Sequence, residues 1–149
     1  MRQDNNLLRI IWSGLAAGIL LGLFLKLMQS ITSLKVYTLL LNVDYIPILN
    51  QLTLSEFVEF SLHLIISVLL SGVFVIFLRH RNFSWRKNIS VVSLTCTVIG
   101  LMLYLTTSLS ERTPSLYDPF SLLIWLIAHL LYGIILGYLL FGLSQKASK

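Results

Sequence analysis

Four long apolar runs alternate with short polar breaks along the chain. The runs lie near Leu7–Ile31, Phe57–Leu78, Ile89–Leu109 and Phe120–Leu143, and each exceeds the roughly 20 residues that an α-helix needs to cross hydrocarbon. The pattern predicts an all-α fold, an integral membrane four-helix bundle occupying residues 1–149 as a single transmembrane domain. Little chain remains outside the spans for a soluble domain. The first run is read as a retained span rather than a signal peptide, because it is too long, carries Lys26 and is followed by no small-x-small cleavage site. Residues 32–55 form an outer loop that reads as partly interfacial: V-D-Y-I-P-I-L-N-Q-L is apolar but broken by Asp44 and Pro47, and such a run is too short to span. If the bundle holds a site, this segment is expected to cap it. The loop S-E-R-T-P-S-L-Y-D-P separates the last two spans, with Pro119 suited to the first turn of the fourth helix.

The spans also repeat. Residues 63–71 read H-L-I-I-S-V-L-L-S and residues 129–137 read H-L-L-Y-G-I-I-L-G, while residues 21–27 and 99–105 read L-G-L-F-L-K-L and I-G-L-M-L-Y-L. Gly22 thereby matches Gly100, Lys26 matches Tyr104, and His63 matches His129. This suggests two tandem helical hairpins related by duplication, each running out from the cytoplasm and back about an axis along the membrane normal. Small residues at four-residue spacing mark every span: Gly14, Gly18 and Gly22; Ser67 and Ser71; Cys96 and Gly100; Gly133 and Gly137. Helices in lipid associate by close backbone approach. These stripes therefore predict either packing inside the bundle or, through the first span, self-association or recruitment of a partner subunit.

Composition supports the membrane assignment. The chain is 56% hydrophobic and 11% charged, against about 25% charged residues in soluble domains. Its single cysteine, Cys96, permits no intrachain disulfide and reads as a small buried filler. The net charge of +5 is distributed by side. Arg2, Arg9, Arg79, Arg81, Arg86, Lys87, Lys146 and Lys149 fall on one side, whereas the other carries Asp44, Glu56, Glu59, Glu111 and Asp118 beside Lys35 and Arg112. The positive-inside rule puts both termini in the cytoplasm. The middle loop R-H-R-N-F-S-W-R-K is too short for a nucleic-acid face; anionic lipid near Arg79, Arg81, Arg86 and Lys87 is its expected neighbour. Trp12, Trp85, Trp125, Tyr117 and Tyr132 are candidates for an interfacial aromatic belt.

Polar groups inside the runs carry the candidate chemistry. At about 1.5 Å per residue, His63 lies roughly 12 Å into its span and His129 is nearly level with it. Glu59 and His63 are one helical turn apart and positioned to pair. Lys26, Glu56, Glu59, His63, Ser67, Tyr104, Asp118 and His129 are expected in the outer half of the bundle, with Lys26, Glu59, His63 and His129 converging on one site and Glu56, Glu111 and Asp118 at its mouth. Three readings stay open: histidines bonded to backbone and hydroxyl groups with Lys26 snorkelling outward; a proton- or solute-responsive cavity; and a bis-histidine haem b site at His63 and His129. No HExxH, GxSxG or phosphate-loop motif occurs, so no enzyme activity is expected. No metal site is expected either, since two histidines with carboxylates lack specific zinc spacing.

Several segments resemble the YagU-like bacterial inner-membrane proteins. G-L-A-A-G-I-L-L-G-L-F-L-K is similar to that family's opening glycine-rich span. H-L-I-I-S-V-L-L-S-G-V-F is similar to its histidine–serine span. T-P-S-L-Y-D-P-F followed by I-A-H-L-L-Y-G resembles its last loop and closing helix. The resemblance covers all four spans in order and implies Lys26, His63, Ser67, Pro114, Asp118 and His129 as family-type positions. It also implies a multi-pass protein of the cytoplasmic membrane associated with acid tolerance. The chain departs from the family's proline-proline-arginine stretch after the first span, where it has L-M-Q-S-I-T-S-L.

Overall fold

In a computed structural model, residues 2–43, 46, 52–79, 81 and 83–143 are described. Regular structure among them is helical: α1 (Arg2–Thr32), α2 (Val36–Leu41), α3 (Glu56–Arg79), α4 (Trp85–Tyr104) and α5 (Pro119–Gly137). A 3₁₀ turn, Leu105–Leu109, extends α4, and a π-helical turn, Tyr138–Gly142, extends α5. Four segments are long and apolar enough to cross a membrane: Asn6–Thr32, Glu56–Arg79, Trp85–Leu109 and Pro119–Gly142. Their outward faces are apolar; Leu69 is 64% and Ile76 71% exposed. A continuous surface of this kind is costly in water and ordinary in hydrocarbon.

Local chemistry sets the helix ends. Asp118 accepts from the Phe120 N–H at 3.1 Å as the N-cap of α5, with Pro119 in the first turn, where a missing N–H costs nothing. Ser84 caps α4 by accepting from Lys87 N–H. That cap starts the third long helix at Trp85, one turn before the expected Ile89, so Arg86 and Lys87 sit on the helix rather than in the loop. Ser33 ends α1 in the left-handed region at φ 60° while its N–H bonds Gln29 O at 2.9 Å, a helix stop more often made by glycine.

Between α1 and α3, α2 is a single short helix packed on both, with Val36 and Leu39 buried. Too short to cap itself, it borrows Gln29 from α1. The Gln29 Oε1 accepts from Tyr37 N–H at 2.9 Å and Thr38 N–H at 3.0 Å, orphan donors at a helix start. Gln29→Leu is expected to cost about 1–2 kcal/mol by stranding them, read as a lower thermal midpoint, and unchanged stability would contradict the assignment. Most of the V-D-Y-I-P-I-L-N-Q-L segment, including Asp44 and Pro47, lies outside the described residues, as do Lys146 and Lys149.

α1 packs against α3 and α4 against α5, and a contact between α1 and α5 joins the two pairs. The small-residue stripes make these approaches. A Cβ on Gly14 would stand 2.7 Å from Val68 Cα, and one on Gly133 2.6 Å from Ser93 Cα. Gly18 meets Leu64 and Ser67, Gly22 the Phe60 ring, Gly100 the His129 ring and Gly137 Ile89; Ser71 is fully buried. The α1 stripe is thus covered by α3 of the same chain. A hydroxyl relay ties the pairs together. Ser67 Oγ donates to Gly14 O at 2.7 Å and lies 2.8 Å from Tyr132 OH. Since Ser67 has one hydrogen to give, Tyr132 is the donor in the second bond. Tyr132 and Trp125, expected in an interfacial belt, are instead 4% and 2% exposed in the core. Each has found an internal acceptor, Trp125 Nε1 donating to Gly100 O at 2.7 Å, which satisfies the polar atom that otherwise draws such side chains to the interface. Trp12 and Tyr117 remain exposed.

Candidate binding cavity

Between the two helix pairs lies a cavity of about 210 Å³, reaching from Tyr132 to the residues after α2. Its wall is mainly apolar, with Leu21 from α1, Ile66 from α3, and Ile99 and Leu103 from α4. The segment expected to cap a site contributes Leu39, Leu40, Asn42 and Val43. Glu59, His63, Ser67 and His129 all face this space. Of the four residues expected to converge, Glu59, His63 and His129 line this space and Lys26 does not.

The two histidines differ in setting. His129 is buried, its ring 4.3 Å from that of Trp125 and laid over Gly100. Its Nδ1 is 2.9 Å from Trp125 O. A carbonyl only accepts, so Nδ1 carries the hydrogen, and in the neutral ring Nε2 is left as an acceptor. His63 stacks on Phe60 at 6.0 Å and lies beside the Gly18 backbone, close enough to His129 for the two to interact electrostatically. Its Nε2 is shut off from solvent and has no hydrogen-bond partner.

Glu59 does not pair with His63. Both terminal nitrogens of Arg112 reach Glu59 Oε1 at 3.3 Å from the loop after α4, and the carboxylate is 5% exposed while lining the cavity. A permanently charged fork outcompetes an imidazole for a buried carboxylate. Lys26 is the clear departure from convergence. It turns outward to Glu56 Oε1 at 2.6 Å, beside the Tyr37 ring, and is absent from the cavity wall. A long cationic side chain reaches the interface at little cost. Glu56 also accepts from Tyr37 OH at 3.0 Å. Burial first, and then the Glu56 carboxylate, push the Tyr37 phenol up to about 12, so this bond is lost only as pH rises through that value.

Tyr104 and Asp118 are structural here. Buried Tyr104 donates to both Ser115 O and Asp118 O at 3.1 Å, fixing the last loop. The Ser121 hydroxyl, 2.6 Å from Asp118 Oδ2, holds that carboxyl below its ordinary range, helped by the Phe120 and Ser121 N–H groups. A depressed carboxyl contributes stability above its unfolded pKa and loses it as pH falls through the folded value. Asp118→Ala should therefore cost about 1 kcal/mol equally at about pH 5 and about pH 8. A penalty confined to the higher pH would contradict this.

Sequence reasoning passed over Arg112, Asn42, Trp125 and Tyr132 as parts of this site. Trp125 and Tyr132 carried a usable signal, standing four residues before and three after His129 on one helix face. Arg112 was visible only as one of two loop cations, with Lys35, on the acidic side. Among the described residues no group of three or more His, Cys, Asp or Glu is placed to hold a metal ion. Comparison with protein families, curated proteins and solved structures finds no match for the chain.

Proposed function

We propose that this chain is a non-enzymatic, multi-pass protein of the bacterial inner membrane that binds a small solute in the cavity between its two helix pairs. The observation that carries the reading is the meeting of Glu59, His63, Ser67 and His129 on one largely apolar cavity. The end of α1, the start of α3 and the loop after α4 share one end of the bundle, linked by the Lys26–Glu56 and Arg112–Glu59 pairs. Arg9 and Arg79 border a cleft at the other end. The excess of Lys and Arg in the middle loop assigns that second end to the cytoplasm, and the cavity then opens in the outer half. The packing of α1 with α3 and of α4 with α5 supports the tandem-hairpin reading.

The solute reading fits the cavity better than the alternatives. A partner subunit recruited through glycine stripes would need faces that α3 and α4 already cover. A haem between the histidines would need both rings free to turn edge-on to one iron, whereas the His129 ring is clasped by Trp125 and Gly100. The resemblance to YagU-like proteins extends the proposal toward acid tolerance. Native mass spectrometry of the chain from mild detergent tests it. A small-molecule adduct that disappears in His129→Leu supports the reading, whereas a stoichiometric second membrane protein and no adduct would refute it.

A further inference from the structure

Glu59 is the one carboxylate on the cavity wall among the described residues, and no Lys or Arg joins it there. It is 5% exposed, so its charge is held where an unpaired ion is costly. Its pairing is incomplete. Both Arg112 nitrogens converge on Oε1 at 3.3 Å, long for a charge-assisted bond, which is ordinarily about 2.7–2.9 Å. Oε2 takes no hydrogen bond among the described residues and, unlike His63 Nε2, is not sealed from open space.

The two partners differ in what separation costs them. The Arg112 side chain is 51% exposed and can exchange Glu59 for water. Buried Glu59 cannot, and needs another cation once Arg112 withdraws. Around it the wall is aliphatic, with Leu62 and Ile66 from α3 and Ile99 and Leu103 from α4. Benzene fills a dry cavity of about 150 Å³, so a space of about 210 Å³ suits about six to eight carbons. The hydroxyls of the wall ask nothing of a guest, since Ser67 donates to Gly14 O and receives Tyr132.

We propose that the cavity binds an amphipathic monocation, an alkylammonium whose head replaces Arg112 at Glu59 and whose hydrocarbon lies along the aliphatic wall. This rests on the cavity being a solute site. The exchange conserves charge: one cation leaves the carboxylate as another arrives, and no ion is left unpaired in the bundle. An anionic guest would meet Glu59 as a like charge, and a neutral guest would leave the Arg112 pair as it stands.

Saturation-transfer NMR titrations on the full chain in phosphatidylcholine nanodiscs, referenced to empty nanodiscs, compare n-hexylammonium with 1-hexanol, which keeps the chain and drops the charge. Wild type should bind hexylammonium at least about tenfold more tightly, since only the cation pairs with a buried carboxylate. In Glu59→Gln the preference should collapse to within about twofold while hexanol is still bound. Retained hexanol binding also shows that the variant is folded. Arg112→Gln removes the competitor and leaves the carboxylate in need of a cation, so hexylammonium should bind about threefold or more tighter than to wild type. Unchanged or weaker binding there, or a preference that persists in Glu59→Gln, overturns the exchange. Equal affinity of wild type for both compounds overturns the cation site and leaves the solute site standing. Binding of neither overturns both.

Discussion

Gly133→Leu should leave little or no monodisperse protein in mild detergent, whereas Gly72→Ala should behave as wild type. The difference lies in what each new side chain meets. Even a Cβ at Gly133 would lie 2.6 Å from Ser93 Cα and 3.0 Å from Cys96 Cβ. The first obstacle is backbone, which no rotamer change can move. α4 and α5 would have to separate along their contact, opening the hydrogen bond from Trp125 to Gly100 and the His129 seat with it. Overpacking a tight contact costs about 1–3 kcal/mol and more where backbones must part. In lipid there is little apolar driving force to offset lost packing. At Gly72 the nearest atom is Ile10 Cγ2 at 3.9 Å, an ordinary contact, and alanine favours the helix by about 1 kcal/mol. Fluorescence-detected size exclusion with a thermal ramp reads both. A Gly133→Leu protein as stable as wild type would disprove the close α4–α5 approach.

His63→Leu should make the unliganded protein more stable. A buried ring nitrogen without a partner carries an uncompensated desolvation cost of about 1–3 kcal/mol. Leucine keeps most of the volume and removes that cost. The thermal midpoint should therefore rise, the usual sign of a residue retained for function at the expense of stability. His129→Leu should go the other way, because it forfeits the Trp125 bond and the ring contacts with Trp125 and Gly100. Opposite signs at two histidines that occupy matching places in the sequence are a demanding test. If His63 served only to hold helices together, its loss would destabilise the chain as well, and a fall in midpoint would end its assignment to binding.

The spans were legible because length and hydropathy act over some twenty residues; the start of the third moved by a turn because the Ser84 cap was not read. The depth of Glu59, His63 and His129 was legible for the same reason, since helical rise converts position into height. What surrounds each group was not. Arg112 reaches Glu59 from 53 residues away, and no local pattern encodes which of several carboxylates a loop arginine will meet. Lys26 sits near the same depth in sequence terms, yet its flexible stem takes it to Glu56. Trp125 and Tyr132 were misplaced because amphipathic aromatics suit an interface or a core with an acceptor, and the acceptors here, Gly100 O and Ser67 Oγ, belong to other helices. The α2 helix was hidden because its cap comes from Gln29 on α1 rather than from its own first turn.

The claim on which the rest depends is a four-span bundle whose cavity end faces outward. Single cysteines at positions 35, 111, 81 and 87, introduced over Cys96→Ser, can be challenged in intact cells with a membrane-impermeant maleimide. Lys35→Cys and Glu111→Cys, at the cavity end, should label in intact cells, and Arg81→Cys and Lys87→Cys only after permeabilisation. Labelling of positions 81 and 87 from outside, with 35 and 111 protected, would reverse the topology and contradict the outer cavity.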